Sequence, residues 1–250
     1  MDQISNSTVF RPEVAFIDCD NCIYTHSDGC VERMVGVAGS VVNKLTGIPK
    51  NHASEMASQS FFHYRDGFFT FIEDHGVEKY REMHREFDRV SRNDEFGIMN
   101  PVIPELIEEL SDSIPVYIVS HTTERALHSM LDRLGFNNEL MTGRVIGMDT
   151  FETTLGWLRK DRTETSMLSA LSGRDNLPLQ RSVLFEDSRT NIDISMKHGV
   201  GQAYHTYPDE RGGTLVDALR DAIKVQKGFH AVTRESDRSV PESRMPILTL

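Results

Sequence analysis

Short apolar runs that end in polar or acidic residues recur along the chain, and they predict buried strands. The clearest runs span residues 14–18, 115–120 and 182–186, and residues 200–205 form a weaker fourth. Continuous apolar runs without polar alternation suit strands that are buried on both faces, as in a parallel sheet.

Helical patterns alternate with these strands in the second half of the chain. Apolar residues recur at helical spacing over residues 124–134, 163–171 and 189–198, and a glycine follows the first and the last of these segments. Alternation of strands and helices predicts right-handed crossovers. The expected fold class is therefore α/β, with an open, Rossmann-like parallel sheet as its core.

The first two predicted strands are separated by residues 19–114, which is too long a segment for a single crossover. Much of this segment has helical character. The helical patterns lie at residues 31–45, 52–74 and 77–90. We therefore expect a helical accessory domain that is inserted after the first strand.

The expected domain organisation follows from these patterns. Residues 1–24 and 101–225 form the α/β core, and residues 25–100 form the inserted helical domain. Residues 226–250 are polar, contain proline and lack periodicity, which predicts a mobile C-terminal tail.

Charge and composition indicate which binding partners and which cellular location to expect. The chain has 27 Lys and Arg residues against 38 Asp and Glu residues, a formal net charge of −11. Such a surface repels nucleic acid and anionic membranes, so neither is an expected partner. No run reaches the roughly 18 apolar residues of a membrane span, and the N-terminus lacks the features of a secretory signal. With only three cysteines, the expected location is the cytoplasm. The sequence does not predict an oligomeric state.

Acidic and hydroxyl side chains follow the three best strands. Asp18 and Asp20 follow the first, Ser120 ends the second, and Glu186 and Asp187 end the third. In open α/β sheets, ligands bind beyond the carboxyl ends of the strands. Four converging acids repel one another unless a cation lies among them, and hard oxygen ligands with room for a phosphate suit Mg²⁺. The sequence therefore predicts a magnesium site at this edge of the sheet.

The same residues resemble the motifs of the haloacid dehalogenase (HAD) superfamily of phosphatases. The string Asp18-Cys-Asp20 resembles the first motif, Ser120 the second, and Glu186-Asp187-Ser-Arg-Thr-Asn the fourth, while Lys160 has the spacing of the third-motif lysine. The motifs occur in the family's order across roughly residues 14–205. The resemblance implies that the helical insert is a cap that closes over the site and selects the leaving group.

The resemblance also implies a role for each candidate residue. Asp18 corresponds to the nucleophile and Asp20 to the general acid/base. The implied metal ligands are Asp18, Asp20 (through its backbone carbonyl), Glu186 and Asp187. The implied phosphate-binding residues are Asn21, Ser120, His121 and Lys160. The expected partner is a small phosphorylated metabolite, and the expected cofactor is Mg²⁺. Cys22, Glu186 and Asp161 depart from the family's usual residues, and Lys160 is the least secure assignment because a surface lysine gives the same pattern.

Residues 61–67 loosely resemble the pyrimidine 5′-nucleotidase branch of the family. This likeness favours a nucleoside 5′-monophosphate as the substrate, with Tyr24, His63 and Arg65 as candidates to face the leaving group. The phenylalanines between residues 61 and 71 are interpreted as packing residues rather than as a platform for a base.

Several alternatives remain open at this point. One is a sugar-phosphate phosphatase or phosphotransferase of the same fold, and another is a catalytically silent protein that binds a phosphate ligand. Cys19, Cys22, His26 and Cys30 vaguely resemble a zinc knuckle, but the gaps are too short, so buried thiols are the better interpretation. Phosphonate cleavage is disfavoured because the cap has no persuasive lysine for a Schiff base, and dehalogenation is disfavoured by Asp20 and the metal-type acids.

Overall fold

The computed structural model describes most of the chain. The described residues are 10–27, 29–91, 99–137, 141–153, 156–157, 159–160, 166–206 and 213–238, with the side chains of the last helix described over 215–228. Residues 163–165 of one predicted helix and residues 239–250 of the predicted tail lie outside this set.

A five-stranded parallel sheet forms the centre of the molecule, in the order β3-β2-β1-β6-β7. A separate antiparallel pair, β4 and β5, lies between β3 and β6 along the chain. The strands are β1 Val14–Ile17, β2 Val116–Val119, β3 Val145–Ile146, β4 Glu152–Thr153, β5 Gly156–Trp157, β6 Ser182–Glu186 and β7 Gln202–His205. The predicted α/β class and the parallel sheet are confirmed.

Of the four helices that the described residues form between β1 and β2, we call the first three the helical insert. They are α1 Cys30–Thr46, α2 Lys50–Tyr64 and α3 Phe71–Val90. Helices α1 and α2 approach so closely that a Cβ at Gly39 would lie 2.0 Å from Ser54 Oγ, so only glycine fits there. The sequence predicted one helix over residues 52–74, but the chain leaves α2 at Arg65, which has a left-handed φ of 54°. A second interruption occurs at Gly76, whose φ of 78° and ψ of 165° kink α3 between the two segments that were predicted as separate helices.

In the described part of the chain, five further α-helices flank the sheet. They are α4 Ile103–Ser111, α5 Glu124–Arg133, α6 Met167–Asp175, α7 Arg189–Lys197 and α8 Gly213–Arg238. Three of them begin at a hydroxyl residue whose side chain accepts a backbone N–H, namely Thr123, Ser166 and Ser188. Thr123 comes three residues after Ser120, and Ser188 comes directly after Asp187. Each of these short segments therefore follows a strand, carries candidate site residues and begins a helix.

The C-terminal part differs from the expectation. The sequence predicted an aperiodic tail from residue 226, whereas the backbone stays helical to Arg238. Gln226 is buried and donates from Nε2 to the Pro12 carbonyl at 2.6 Å. Among the described residues, none of the helices is both long and apolar enough to cross a bilayer.

The two faces of the sheet belong to different apolar clusters. Ala15 and Ile17 of β1 pack with α4, α5 and α8 on one face. Val14 and Phe16 pack in a second cluster that includes buried residues of α1, α2 and α3. Because successive side chains of a strand point to opposite faces, each face contributes every second residue. The helical insert thus shares an apolar core with one face of the sheet.

Candidate active site

Asp18 lies directly after β1, the central strand, and is 4% exposed. Its backbone N–H donates to the Phe185 carbonyl of β6 at 2.9 Å. After β1 the chain forms β2 on one side of β1, and it later returns to form β6 on the other side. Such a reversal of strand order opens a crevice at the carboxyl ends of the strands, where ligands bind in open α/β sheets. The position of Asp18 is therefore the one expected for a ligand site.

Lys160 reaches the same point. Its Nζ donates to Asp18 Oδ1, to Glu186 Oε2 at 2.9 Å and, more weakly, to the Val119 carbonyl at 3.4 Å. The backbone N–H of Lys160 donates to His121 Nε2 at 2.9 Å, which fixes the residue from the side of β2. With its side chain 3% exposed, Lys160 is not a surface lysine.

Three carboxylates gather around this ammonium group. Asp18, Glu186 and Asp187 each offer an oxygen, and these oxygens all lie within 4.8 Å of one another. Glu186 is held in place, because its Oε1 accepts from Asn191 Nδ2 at 2.9 Å. Asn21, at a left-handed φ of 56°, hydrogen-bonds the side chain of Asp187.

Asp20 is surrounded by hydroxyl groups. Ser120 Oγ donates to its Oδ2 at 2.7 Å, Thr122 Oγ1 donates to the same oxygen at 3.2 Å, and the Tyr24 hydroxyl donates to Oδ1. His26 Nε2 lies 3.9 Å from Oδ1. The carboxylate is thus fixed by contacts from both its own loop and the loop after β2.

Asp18 and Asp187 both have raised pKa values. Burial first, and then the charge of Glu186, raise the pKa of Asp18 well above its usual value, although Lys160 opposes the shift. Burial and Glu186 also raise the pKa of Asp187 to about 6. The pKa of Lys160 is raised because Asp18 and Glu186 outweigh its burial. One ammonium group does not balance three carboxylates, so the cluster favours an additional cation.

The three leaving-group candidates lie outside the cluster of carboxylates around Lys160. Tyr24 is 3% exposed and its hydroxyl is directed at Asp20, so it contacts the general acid/base candidate and offers little surface to a leaving group. His63 and Arg65 are exposed at the end of α2. Of the nearby phenylalanines, Phe68 and Phe71 are buried as packing residues, whereas Phe62 is 67% exposed.

Four residues in or near the site were not among the site residues predicted from the sequence. Thr122 lies two residues after the expected Ser120, and Asn191 lies within the fourth-motif string, so both could have been found by extending the motifs. Arg159 and Thr206 gave no signal. The three cysteines are buried and form no disulfide among the described residues, as expected, and Cys22 Sγ lies 2.7 Å from Thr206 Oγ1.

Known structures share this architecture. CbbY from Rhodobacter sphaeroides, in complex with phosphate, aligns over 80% of this chain and 88% of its own at 14% identity and a TM-score of 0.53. A haloacid dehalogenase-like hydrolase from Bacteroides fragilis aligns over 77% of this chain and 86% of its own at 17% identity and a TM-score of 0.51. Neither a protein-family model nor a curated protein sequence matches the chain. The structural likeness shows that the chain has the fold of HAD-type hydrolases.

Proposed function

We propose that this protein is a Mg²⁺-dependent phosphatase that hydrolyses a small phosphomonoester through a phosphorylated Asp18. The observation that carries this proposal is the convergence of Asp18, Lys160, Glu186 and Asp187 at the carboxyl ends of β1 and β6. A nucleophilic carboxylate beside a lysine and a surplus of acids suits phosphoryl transfer, where catalysis depends on positioning and on charge stabilisation.

The residues present fit a magnesium ion. Asp18, Glu186 and Asp187 supply hard oxygen ligands within 4.8 Å of one another, and their combined charge exceeds that of Lys160. The backbone carbonyl of Asp20 is the further candidate ligand. When bound, Mg²⁺ would neutralise negative charge on the phosphate oxygens.

In the proposed reaction, an Asp18 oxygen attacks phosphorus and the bond to the leaving-group oxygen breaks. Asp20 donates a proton to that oxygen. Water then attacks the aspartyl-phosphate, the bond between phosphorus and Asp18 breaks, and Asp20 takes the proton of the water. Lys160 and Ser120 bind the non-bridging oxygens, with Asn21 and His121 as further candidates at the same edge.

For the substrate, we propose a nucleoside 5′-monophosphate. Aromatic and basic side chains are exposed at the end of α2, where Phe62 is 67% and Tyr64 43% exposed, next to His63 and Arg65. The Tyr64 carbonyl accepts a hydrogen bond from Arg159, the neighbour of Lys160. The backbone of the segment that carries these rings thus contacts the lysine loop. We infer a planar leaving group, because bases stack on aromatic side chains.

The proposal is tested by phosphate release from a panel of nucleoside monophosphates and sugar phosphates, with Mg²⁺ or with EDTA. We expect turnover only with Mg²⁺, and the ranking of substrates separates the nucleotide from the sugar-phosphate alternative. Tight phosphate binding by folded, metal-loaded protein without turnover of any substrate would favour a silent binding protein instead.

A further inference from the structure

Arg159, the residue immediately before Lys160, is directed into the helical insert rather than into the sheet. Its Nη1 donates to Asp66 Oδ2 at 3.0 Å, and its Nη2 donates to the Tyr64 carbonyl. The two charged side chains are 3% and 2% exposed, so this is a buried ion pair. Two neighbouring cationic side chains therefore contact different parts of the molecule. Lys160 contacts the acids at the sheet edge, and Arg159 contacts the helical insert.

Asp66 has a complete set of partners. The Tyr80 hydroxyl donates to its Oδ2 at 2.7 Å, the Phe68 N–H donates to its Oδ1 at 2.8 Å, and His84 Nε2 lies 3.2 Å from Oδ1. Burial raises the pKa of Asp66, but His84 and Arg159 outweigh it and hold the pKa well below its usual value. A buried carboxylate with this many donors keeps its charge and its geometry.

The β4–β5 pair packs against the same cluster. The rings of Trp157 and His84 lie 5.2 Å apart, and those of Trp157 and Tyr80 lie 5.6 Å apart. A Cβ at Gly156 would lie 2.9 Å from the Tyr80 ring, so the close approach of β5 to α3 requires glycine. Asp66 is thus the polar centre of a tightly packed joint between the insert and the chain that leads to Lys160.

The two residues of this loop are fixed from several sides. The Arg159 carbonyl accepts from the Met167 N–H at 3.4 Å, and the Lys160 N–H donates to His121 at 2.9 Å. Both of these contacts come from the α/β core. The ion pair with Asp66 joins the loop to the insert through opposite charges.

We propose that Asp66 is a positioning residue, which acts through Arg159 to keep Lys160 in contact with Asp18 and Glu186. The kinetic part of this inference rests on the proposed phosphatase function, while the positioning itself does not. Lys160 Nζ lies 2.9 Å from Glu186 and closer to Asp18, and these contacts depend on where the backbone of the loop lies. A misplacement of about 1 Å in such an arrangement costs up to about 100-fold in rate.

The test compares Asp66→Asn, Arg159→Lys and the double variant with wild type. Asp66→Asn keeps the shape of the side chain but removes the charge that faces Arg159. Glu86→Gln is the matched control, because Glu86 pairs with Lys44 and Arg89 on the surface of the same insert. Two properties are measured for each folded variant: hydrogen exchange of the Lys160 amide without substrate, and kcat and KM for whichever panel substrate the wild type hydrolyses.

We expect Asp66→Asn to speed exchange of the Lys160 amide about tenfold and to lower kcat about tenfold, with a smaller change in KM. In the Arg159→Lys background, Asp66→Asn should add little to either effect, because both residues act through one contact. Glu86→Gln should leave both properties unchanged.

Wild-type exchange and kcat in folded Asp66→Asn would overturn the proposal and leave Asp66 a purely structural residue. Effects of the two variants that add independently would also overturn it. If Asp66→Asn does not fold, Arg159→Lys alone decides, because it retains the charge but loses the forked contact with Asp66 and Tyr64. Faster exchange at Lys160 in a protein that hydrolyses no substrate would refute the phosphatase and not the positioning.

Discussion

Asp18 and Asp66 are two buried carboxylates that face neighbouring cations of one loop, yet they differ in every other respect. Asp18 faces Lys160 at the sheet edge, and Asp66 faces Arg159 at the helical insert. The pKa of Asp18 is raised, whereas the pKa of Asp66 is lowered. Burial raises both pKa values, so the difference comes from the neighbours.

The neighbours of Asp66 are hydrogen-bond donors and basic side chains, while those of Asp18 include other acids. Arg159, His84, Tyr80 and the Phe68 N–H all stabilise the Asp66 carboxylate. Around Asp18, by contrast, the charges of Glu186, Asp20 and Asp187 oppose ionisation and only Lys160 favours it.

This contrast distinguishes a charge that is fully paired within the fold from one that its surroundings leave unbalanced. The Asp66 cluster is balanced and needs no further partner, so it joins two parts of the molecule. The Asp18 cluster carries excess negative charge that a divalent cation would balance, which is the arrangement that phosphoryl transfer requires. The predictions below test whether the two carboxylates behave as differently as this comparison requires.

The largest expected effect is on catalysis, from Asp18→Asn. Removal of the nucleophile should lower kcat by about 10⁴-fold or more, because the amide does not form the aspartyl-phosphate. The variant should remain folded, since the change removes a buried charge that its acidic neighbours oppose. Phosphate release and thermal unfolding are the measurements, and a variant with near wild-type kcat would contradict the assignment.

Lys160→Met is the next test. It should lower kcat by about 10²- to 10³-fold, because the variant loses charge stabilisation of the phosphoryl group. It should also lower the free energy of unfolding by about 3 kcal/mol in EDTA, since Asp18 and Glu186 would remain buried without their cation. Lys227→Met, which removes a surface ion pair with Glu109, is the control and should change neither quantity appreciably. Equal stability of the Lys160 and Lys227 variants would show that Lys160 does not balance the acids.

The two clusters should also differ in their pH dependence. The lowered pKa of Asp66 means that its stabilising contribution is present above about pH 4 and is lost as the pH falls below that value. Asp66→Asn should therefore lower the free energy of unfolding by about 3 kcal/mol at neutral pH, and the gap to wild type should shrink at acidic pH. Unfolding in EDTA at neutral and acidic pH measures the difference in unfolding free energy between wild type and Asp66→Asn. A difference that does not change with pH would contradict the assignment of Asp66 as an ionised, fully paired carboxylate.

Asp187 should give the opposite trend. Its pKa is raised to about 6, so its ionisation destabilises the folded chain as the pH rises from about 4 to about 6. Asp187→Asn should therefore be more stable than wild type in EDTA at neutral pH. Mg²⁺ should raise the unfolding midpoint of wild type more than that of Asp187→Asn, because the ion binds the folded chain. An equal Mg²⁺ shift in both proteins would argue against Asp187 as a ligand.

The smallest expected effect concerns the leaving group. If a base stacks on Phe62, then Phe62→Ala should raise KM for a nucleoside monophosphate by about fivefold to tenfold, with little change for a sugar phosphate. Met196→Ala is the control, because Met196 is an exposed apolar residue on α7. A uniform KM change for all substrates would indicate that the ring has no part in substrate choice.

The fold class and the residues at the sheet edge could be predicted from the sequence because both depend on local patterns of apolar and polar residues. The apolar runs that became β1, β2 and β6 end next to Asp18, Ser120 and Glu186, so strand prediction and site prediction coincide. Helical spacing likewise identified the insert. The two-residue strands β3, β4 and β5 were missed because they are too short for a periodic signal.

The Asp66 joint could not be predicted for a different reason. Its members lie at positions 66, 80, 84 and 159, and no spacing rule connects the turn after α2 and one helix, α3, with a distant loop. The direction of the Tyr24 hydroxyl toward Asp20, and of His121 Nε2 toward the Lys160 N–H, also depends on tertiary packing. Sequence motifs located the candidate reacting groups, whereas the contacts that hold them in place required the structure.

The central claim, that Asp18 is phosphorylated during turnover, is tested most directly by acid-quenching the protein with an active substrate and Mg²⁺, followed by peptide mapping. The account predicts a phosphoryl group on the peptide that contains Asp18, and neither this adduct nor turnover in Asp18→Asn. A phosphoryl group on a different residue, or turnover that persists in Asp18→Asn, would contradict it.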